Sequence, residues 1–543
     1  MSLTHEVTNQ PPPHTGHDAF GEDVALREAL VREGAGWAEP ELHELGRLAG
    51  DAAWLERGED ANRHPPELRT HDRFGHRVDS VRYHPSYHEV AATAVAHGLH
   101  AAPWRPDAPA GAHVARAAKS IVWTRVDAGH MCPMSMTYAV VPTLRAAPDL
   151  AASWEPLALS GKYDPRDLPA QEKAGALFGM AMTEKQGGSD VRANTTRAEA
   201  TAEGSYRLTG HKWFCSAPMS DAFLVLAQAA VGLSCFLVPR WLPDGTRNVF
   251  RLQRLKDKLG DRSNASSEVE LDSTFGWLVG EEGRGVATII SMVGHTRLDC
   301  AVAAAGSMRH GLAEAGWHVA HRRAFGARLA EQPLMRAVVA DLAVESEAAT
   351  ALALRLARAF DRNADDTRER AFARLATPVV KYWLCKRAPA HASEALECLG
   401  GNGYVEESGM PRLLRQSPLN GIWEGSGNVQ CLDVLRATAR SPDAVEAVLG
   451  ELELARGADR RYDTALGRLH DELARGGEET ARRATELLAL CLQGSLLVQG
   501  GSPAVADAFC ATRLGGDHGL AFGTLPSGMD VDGILARVLP VLS

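Results

Sequence analysis

Three short segments place chemically active side chains beside glycines. Glu424 lies in GIWEGSGN, between an aromatic residue and small residues that would let a flat ligand approach closely. A carboxylate there is a candidate general base, although a lone glutamate in a glycine-rich loop more often faces solvent. The arginines of HRRAFG would either favour the negative end of a helix or clamp a pyrophosphate. ECLGGNGY, with Gly400 and Gly401, is also typical of a helix C-cap and turn.

The segment AMTEKQGGSDVRANTT, which begins at Ala181, is polar and rich in exposed backbone. Backbone amides and the Ser189 hydroxyl in a turn suit a phosphate or the polar edge of a ring. A turn with two glycines is most often only a turn, and each of these segments is a weak signal by itself.

Composition excludes several classes of protein. The chain has 543 residues, which predicts two to four domains, and a net charge of −10, which gives no global signal for nucleic acid. Its nine cysteines are scattered and never spaced C-x-x-C, so we expect reduced, mostly buried thiols and no metal site or disulfide frame. The N-terminus does not read as a signal peptide, and no apolar run approaches the ~18 residues of a membrane span. These features predict a soluble, cytoplasmic protein that does not enter a membrane.

The elements that must position the candidate residues change character along the chain. Apolar residues at helical spacing predict helices from Asp23, a plausible cap, to about residue 178. Short segments rich in β-branched and aromatic residues then predict a small antiparallel barrel or sandwich. Long Ala- and Leu-rich helices follow from about residue 285 and suit a packed bundle. The predicted domains are an N-terminal extension (1–40), a helical domain (41–179), a β domain (180–284), a helical bundle (285–440) and a helical tail (441–543).

Five blocks in this order resemble the acyl-CoA dehydrogenase flavoprotein family, from about residue 60 to 440. The blocks are MTE with GSD, GHK leading to Ser216, RRAFG, LGGNGY and WEGS. Further stretches, among them NQPPP, NRHPPELRTHDRFG, RLKDKLGDRSNASSEVE and NGIWEGSGNVQCLDVLR, are similar to the AidB type of this family, which is associated with the response to DNA alkylation. The resemblance implies a multidomain α+β fold with an N-terminal helical domain, a middle antiparallel β-barrel, a C-terminal four-helix bundle and an extra helical region.

The resemblance also implies FAD as the cofactor and assigns residues to it. Glu424 takes the position of the base that removes the α-proton of an acyl-CoA thioester. Phe214 takes the position of a tryptophan that is usual beside the flavin ring, and Trp213 stands one residue early. Arg322, Phe325 and Gln332 are expected to reach the FAD of a neighbouring subunit, so the protein is at least a dimer and by family type a homotetramer. The full set of expected cofactor residues is Met182, Thr183, Gly188, Ser189, Phe214, Ser216, Arg322, Phe325, Gln332, Gly400, Gly401, Trp423, Ser426 and Asn428.

The sequence leaves two main classes of function open. The AidB resemblance implies a flavoprotein that binds double-stranded DNA and has weak activity toward isovaleryl-CoA-type thioesters. The alternative is a metabolic short branched-chain acyl-CoA dehydrogenase that does not bind DNA. A third interpretation is a flavin-stabilised assembly with neither activity.

The charge of the C-terminal region weighs against DNA binding. A phosphate-binding domain is normally basic, but residues 441–543 contain nine arginines, no lysines and fifteen acidic residues. Clustered arginines on or near predicted helices could still form a stripe on one face. The candidates are Arg436, Arg440, Arg460, Arg461, Arg482 and Arg483, with Arg456 and Arg468 nearby. The opposing interpretation is a solvated helical surface of mixed charge.

Overall fold

A computed structural model describes residues 4–541 and divides the chain into two compact units. The helical unit consists of residues up to 52, residues 110–125 and residues from 300 onward. The sheet unit consists of residues 53–109 and 126–299. None of the helices within residues 4–541 has the length and apolar character needed to cross a membrane.

Long helices account for most of the helical unit. The helices of the described chain are α1 (Val24–Arg32), α2 (Glu39–Ala49), α3 (Ala52–Arg63), α4 (Pro85–Ala96), α5 (Ala112–Trp123), α6 (Met131–Leu144), α7 (Pro148–Ala158), α8 (Gly285–His321), α9 (Pro333–Arg362), α10 (Thr367–Glu397), α11 (Met410–Gln416), α12 (Gly427–Arg440), α13 (Pro442–Glu453), α14 (Arg460–Arg475), α15 (Ala481–Gly500), α16 (Pro503–Phe509) and α17 (Val531–Leu535).

Side-chain caps fix the start of several helices. The Asp23 carboxylate accepts a hydrogen bond from the amide of Leu26 at 2.9 Å, as predicted for α1. Asp366 caps α10 in the same way, and Asp459 caps α14. Such caps satisfy amide groups that have no partner inside the helix.

The C-terminal helices share their core with the bundle. α13 packs against α10, and α15 packs against both α9 and α10. Between them the buried guanidinium of Arg355 binds Glu451 of α13 at 2.6 Å and Glu369 of α10 at 2.9 Å. Trp383 donates its indole N–H to Gln493 of α15 at 2.9 Å. Residues 441–541 therefore extend the bundle and share buried contacts with it.

The sheet unit is built on a barrel. Its strands are β3 (Phe178–Ala181), β4 (Arg197–Ala200), β5 (Tyr206–Ser216), β6 (Ala222–Gln228), β7 (Leu233–Pro239), β8 (Phe250–Leu255) and β9 (Ser266–Val279). Pairing runs from β6 through β4, β5, β9 and β7 back to β6, so the sheet closes on itself. Most pairs are antiparallel, as predicted, but β3 and β4 each pair with β6 in parallel. Apolar side chains that include Phe223, Phe236 and Leu252 fill the centre.

One element differs from the sequence prediction. In the region predicted to be mostly helical, Glu67–His71 and Arg77–Arg82 form an antiparallel hairpin, β1–β2, around a turn at Asp72. The Asp72 carboxylate accepts hydrogen bonds from the amides of Phe74 and His76, which stabilises the turn. A short hairpin, β10 (Arg323–Ala324) with β11 (Ala327–Arg328), follows α8. The nine cysteines are buried and unbridged, which agrees with the prediction.

Candidate functional site

Glu424 lies in a tight turn between residues 419–421 and helix α12. Its φ of 59° is in the left-handed region, which is costly for a residue with a Cβ atom. Such a conformation persists only where the surrounding structure over-determines it. The backbone of this turn must therefore be held by strong contacts from the surrounding structure.

Two side chains provide these restraints. The buried ammonium group of Lys381, on α10, donates to the carbonyl oxygens of Trp423 at 2.9 Å and Gly425 at 2.6 Å. The side-chain amide of Gln430, on α12, donates to the carbonyl oxygens of Glu424 at 3.0 Å and Gly425 at 2.9 Å. Three consecutive carbonyl groups are thus held from two helices, which fixes the backbone that carries the Glu424 carboxylate.

The other predicted residues of this turn lie close by in sequence and structure. Trp423 donates its indole N–H to Asn420 at 3.0 Å, Ser426 directly precedes α12, and Asn428 is in its first turn. The Asn428 side-chain oxygen accepts a hydrogen bond from Arg482 of α15 at 2.8 Å. An arginine predicted as a DNA contact is thus bound to a predicted cofactor contact.

Arg322, Phe325 and Gln332 lie on or beside the β10–β11 hairpin. Phe325 and Gly326 form its turn with φ values of 51° and 83°, and the Phe325 side chain is fully exposed. Gln332 follows the hairpin in the chain, and its side-chain amide donates a hydrogen bond back to the carbonyl oxygen of Ala324 at 3.2 Å. The structure therefore brings these three residues together.

The N-terminal segment contacts this hairpin and the Gly400–Gly401 turn. Asn9 exchanges hydrogen bonds with the Arg323 backbone at 2.8 and 2.9 Å, and its carbonyl oxygen accepts from the Arg322 guanidinium. Asn402 donates to Gln10 at 3.3 Å. The extension NQPPP thus links two segments that were predicted separately to bind the cofactor.

In the sheet unit, the segment after β3 carries the second group of predicted residues. Met182 and Thr183 are half-buried, and Ser189 is exposed. The carbonyl oxygen of Met182 accepts from Asn194 at 2.8 Å, and that of Thr183 accepts from the amide of Trp213 at 2.9 Å.

Gly188 has little room for a side chain. A Cβ atom there would lie 2.7 Å from the Thr183 hydroxyl oxygen, so a larger residue would displace the Thr183 side chain.

Glu184 anchors this segment in the barrel. Its buried carboxylate accepts hydrogen bonds from Lys212 at 2.8 Å and from the amides of Thr195 and Thr196 at 2.7 and 3.2 Å. Burial by itself raises the pKa of Glu184, but the hydrogen bonds from Lys212, Thr196 and Thr195 outweigh it, and the net pKa is well below its usual range. Burial lowers the pKa of Lys212 against the opposing effect of Glu184. Glu184 is thus a structural anchor.

Phe214 and Ser216 lie at the end of β5. Half of the Phe214 side chain is exposed, and the Lys256 ammonium lies 4.7 Å from its ring centre. Lys256 is closer to Trp213, at 3.1 Å from the ring centre. The Ser216 hydroxyl lies 3.0 Å from that of Ser266. The loop after Ser216 borders a cavity of about 340 Å³, whose lining includes Tyr83, Tyr87, His88, Tyr163, Lys173 and Asp221.

The residues present fit FAD chemically. An isoalloxazine ring needs apolar cover and polar partners at its edges, and a diphosphate needs a cation and bare backbone. Phe214 and Phe325 expose apolar surface, Arg322 supplies a cation, and a Cβ at Gly400 or Gly401 would meet no atom within 4 Å. The chain therefore offers suitable groups in each unit.

Several predicted DNA-contact arginines are paired with carboxylates. Arg461 binds Asp459 at 2.5 Å and Asp507 at 2.7 Å. Arg483 binds Glu472 at 3.0 Å, and Arg436 lies 3.5 Å from Asp433. Arg456 pairs with Glu453, and Arg468 donates to the carbonyl oxygen of Leu514. Arg440 and Arg460 are exposed, and the ion pairs just described do not involve them.

Comparisons with known proteins agree with the resemblance. Residues 9–165 match the model of the adaptive response protein AidB N-terminal domain, and residues 179–274 and 283–439 match the middle and C-terminal domains of acyl-CoA dehydrogenase. The chain is 48% identical over 512 residues to AidB of Escherichia coli (strain K12), covering 94% of each protein. It is 30% identical over 498 residues to acyl-CoA dehydrogenase family member 11 of Caenorhabditis elegans, covering 86% of this chain and 79% of that protein.

Solved structures share the fold. The C. elegans ACDH-11 complex with C11-CoA has a TM-score of 0.83 at 26% identity and covers 99% of this chain and 95% of that one. A Bacillus anthracis acyl-CoA dehydrogenase complexed with FAD has a TM-score of 0.64 at 17% identity, covering 94% of this chain and 85% of that one, a likeness of fold alone. The chain therefore belongs to the acyl-CoA dehydrogenase family, AidB type, a class of FAD-dependent oxidoreductases acting on acyl-CoA.

Sequence reasoning missed Lys381 and Gln430. Lys381 lies 42 residues before Trp423, inside a helical stretch whose pattern gives no sign of a functional lysine. The one available signal was a lysine at a buried helical position, since lysine is almost never fully buried without partners.

Proposed function

We propose that this chain is an FAD-containing AidB-like protein of the DNA alkylation response, which binds double-stranded DNA and dehydrogenates isovaleryl-CoA-type thioesters weakly. The observation that carries the enzymatic part is the Glu424 turn, whose three carbonyl groups are held by Lys381 and Gln430. A carboxylate on a rigid, strained turn is suited to proton transfer at one fixed position.

In this proposal Glu424 removes the α-proton of the thioester. FAD, when bound, would supply the acceptor for the hydride that leaves the β-carbon. The backbone N–H of Glu424 donates a hydrogen bond to the thioester oxygen, which stabilises the charge that develops there. The restraints on residues 423–425 keep the carboxylate and this N–H in a fixed relation.

The remaining predicted residues hold the cofactor. Met182, Thr183 and Ser189, with Gly188, offer backbone and hydroxyl groups to the flavin, and Phe214 and Ser216 lie beside it. Trp423, Ser426 and Asn428 contact it near the base. Gly400 and Gly401 let backbone approach the diphosphate, and Arg322, Phe325 and Gln332 reach the cofactor of a neighbouring subunit. Support for a shared cofactor is the fully exposed Phe325, and the assembly we propose is a cytoplasmic homotetramer.

Anaerobic flavin reduction tests the enzymatic part. The purified protein should be yellow and should bleach slowly with isovaleryl-CoA. C11-CoA is a useful second substrate, because the C. elegans relative was crystallised with it. Glu424→Gln should stay yellow and lose bleaching, since an amide of similar shape cannot accept the proton. Glu407→Gln, at an exposed glutamate, is the matched control. Bleaching of Glu424→Gln at the parental rate would exclude Glu424 as the base.

DNA binding is supported by the AidB match and by the exposure of Arg440 and Arg460. Contacts to phosphate would give little base specificity and a steep dependence on salt. Removing residues 441–543 is a poor test, because α13 and α15 share a core with the bundle. Charge reversal at Arg440 and Arg460 leaves that core intact.

The assay is fluorescence anisotropy with a short DNA duplex at low and moderate salt. Arg440→Glu/Arg460→Glu should weaken binding at least tenfold at low salt. Arg207→Glu/Arg197→Glu changes the net charge equally at exposed arginines of the barrel and should have little effect. Equal loss in both variants, or no binding by the parent at low salt, would favour the alternative of a metabolic dehydrogenase without DNA binding.

A further inference from the structure

Two histidines and a glutamate that have no role assigned above converge in the N-terminal segment. The Nε2 atom of His14 lies 3.7 Å from a carboxylate oxygen of Glu22, and the Nε2 atom of His17 lies 4.0 Å from the same oxygen. The three potential ligand atoms all lie within 4.8 Å of one another. The spacing His-x-x-His in PPPHTGHDAFGED, with Gly16 at a φ of 75°, brings both rings to one side of the segment.

The His17 ring has unused hydrogen-bonding capacity. Its side chain is only 9% exposed, and among the described residues neither ring nitrogen has a hydrogen-bond partner. A buried polar group without a partner is costly, so an imidazole with two such nitrogens needs an explanation. A ligand bound to one of these nitrogens would supply it.

His14 has a partner on its far side that is typical of a metal-bound histidine. Its Nδ1 atom lies 3.2 Å from a Glu314 oxygen on α8, and Arg125 binds the same carboxylate at 2.7 Å. The Arg125 guanidinium also lies 3.3 Å from this Nδ1 atom. When Nδ1 donates to the Glu314 carboxylate, Nε2 is left as the ligand and the imidazole is more basic. Trp317 stacks on the His14 ring with a centroid distance of 4.6 Å, which holds its plane.

We propose that His14, His17 and Glu22 bind one divalent transition-metal ion of the zinc class through two imidazole Nε2 atoms and one carboxylate oxygen. Metal–ligand distances of about 2.0–2.2 Å put tetrahedral ligands roughly 3.4 Å apart, and the two measured separations are close to this spacing. Imidazole with carboxylate suits Zn²⁺ and its neighbours better than Mg²⁺ or Ca²⁺, which prefer oxygen ligands alone. A water molecule takes the fourth position.

Binding requires two side-chain movements. The two imidazole rings lie parallel with a centroid distance of 4.0 Å, so their lone pairs do not yet converge. The His17 ring turns about its Cβ–Cγ bond, which breaks no hydrogen bond among the described residues. Glu22, whose side chain is 57% exposed, closes the remaining distance. The ion then ties the segment 14–22 to α8 through His14 and Glu314.

The test is equilibrium dialysis of the full chain, without an affinity tag, against Zn²⁺, with bound metal measured by elemental analysis. We expect one Zn²⁺ per chain. Glu22→Gln, at an exposed position where folding is unaffected, should weaken binding at least about tenfold, and His17→Ala should abolish it. Glu314→Gln, which replaces the carboxylate shared by His14 and Arg125 with an amide, should weaken binding by about 10- to 100-fold.

The control is His76→Ala. His76 lies 3.1 Å from Asp72, and among the described residues this exposed pair belongs to no group of three potential metal ligands, so this variant should bind Zn²⁺ as the parent does. Surface binding by other histidines would survive both Glu22→Gln and His17→Ala, and that result would overturn the proposal. Less than a tenth of a Zn²⁺ per chain at tenfold excess of the ion would also overturn it.

Discussion

The ammonium nitrogen of Lys381 lies 2.6 Å from the carbonyl oxygen of Gly425 and brackets Glu424 through a second bond to Trp423. The lysine is on α10, and the turn precedes α12, so the relation depends on how two bundle helices pack. A buried lysine that donates to two carbonyl groups is a strong, directional restraint.

Lys381→Met should remove both hydrogen bonds to the turn while keeping an apolar side chain of similar length and adding no charge. We expect flavin reduction by an acyl-CoA thioester to slow by about 10- to 100-fold, because a small misplacement of a reacting group is costly. Bound FAD should be retained, and KM should change less than kcat. The measurement is single-turnover reduction of the bound flavin.

Lys381→Arg keeps the charge and should recover part of the rate, whereas Lys386→Met, at an exposed lysine of the same helix, should match the parent. An unchanged reduction rate in Lys381→Met would show that the turn does not need this lysine.

Arg322→Ala should lose bound FAD and weaken assembly. A charge-assisted contact of this kind contributes about 1.5–3 kcal/mol. The readouts are the flavin-to-protein absorbance ratio and the size of the assembly by light scattering. Arg323→Ala removes the same charge from the same hairpin and should keep its flavin. Full FAD and full assembly size in Arg322→Ala would refute the shared cofactor.

Glu184→Gln should destabilise the barrel by about 3–5 kcal/mol, because it leaves the Lys212 ammonium buried without a carboxylate. Urea-induced unfolding measures the change. Glu184→Gln/Lys212→Met should recover much of the loss, since it removes both charges. Glu89→Gln breaks the exposed pair with Arg57 and should cost less than about 1 kcal/mol. A loss as small for Glu184→Gln as for Glu89→Gln would contradict the structural role.

His391 should make the chain sensitive to acid. Its buried ring lies 3.1 Å from the carbonyl oxygen of Leu342, and burial lowers its pKa to about 4 from an unperturbed 6.5. Glu345, Arg387 and Arg309 face it, and the pKa of Glu345 is about 2, below this window. The stability that neutral His391 contributes is present above pH 6.5 and is lost as the pH falls toward 4.

At pH 5 the loss should be about 2 kcal/mol relative to pH 7. Free energies of unfolding in urea at pH 7, 6 and 5 measure it. His391→Gln should reduce this dependence without abolishing it, because burial also lowers the pKa of His310, to about 3. His76→Ala, at an exposed histidine, should keep the parental slope. Identical slopes in the parent and His391→Gln would contradict the assignment.

Local chemistry explains which parts of the fold were predictable. The Asp23 cap and the long alanine-rich helices can be predicted from a few neighbouring residues, because capping and helical periodicity are local properties of the sequence. The β1–β2 hairpin could not be predicted in this way, because its strands are short and polar. Their stability comes from tertiary contacts such as the hydrogen bond from the Arg77 guanidinium to the carbonyl oxygen of Leu252. Propensity is a weak guide where tertiary contacts decide.

The candidate site likewise has parts that local sequence indicates and parts that depend on tertiary contacts. The short glycine-rich motif made Glu424 a candidate, and only the resemblance supplied its proposed role as the base. Lys381 was not, because its importance arises from a contact across 42 residues. The pairing of Arg461 with Asp459 and Asp507 likewise depends on packing, and it changes the interpretation of a predicted basic stripe.

The hydrogen bond from Arg482 to Asn428 has a thermodynamic consequence. It joins a helix proposed to meet DNA to a residue proposed to touch the cofactor. A duplex that draws Arg482 away must break this bond, and a bound cofactor that reorients Asn428 must also break it. One coupling free energy then links the binding of DNA and of the cofactor, so each ligand changes the affinity of the other by the same factor. A measured dependence of the equilibrium flavin affinity on DNA concentration would therefore give, without a second experiment, the dependence of DNA affinity on flavin.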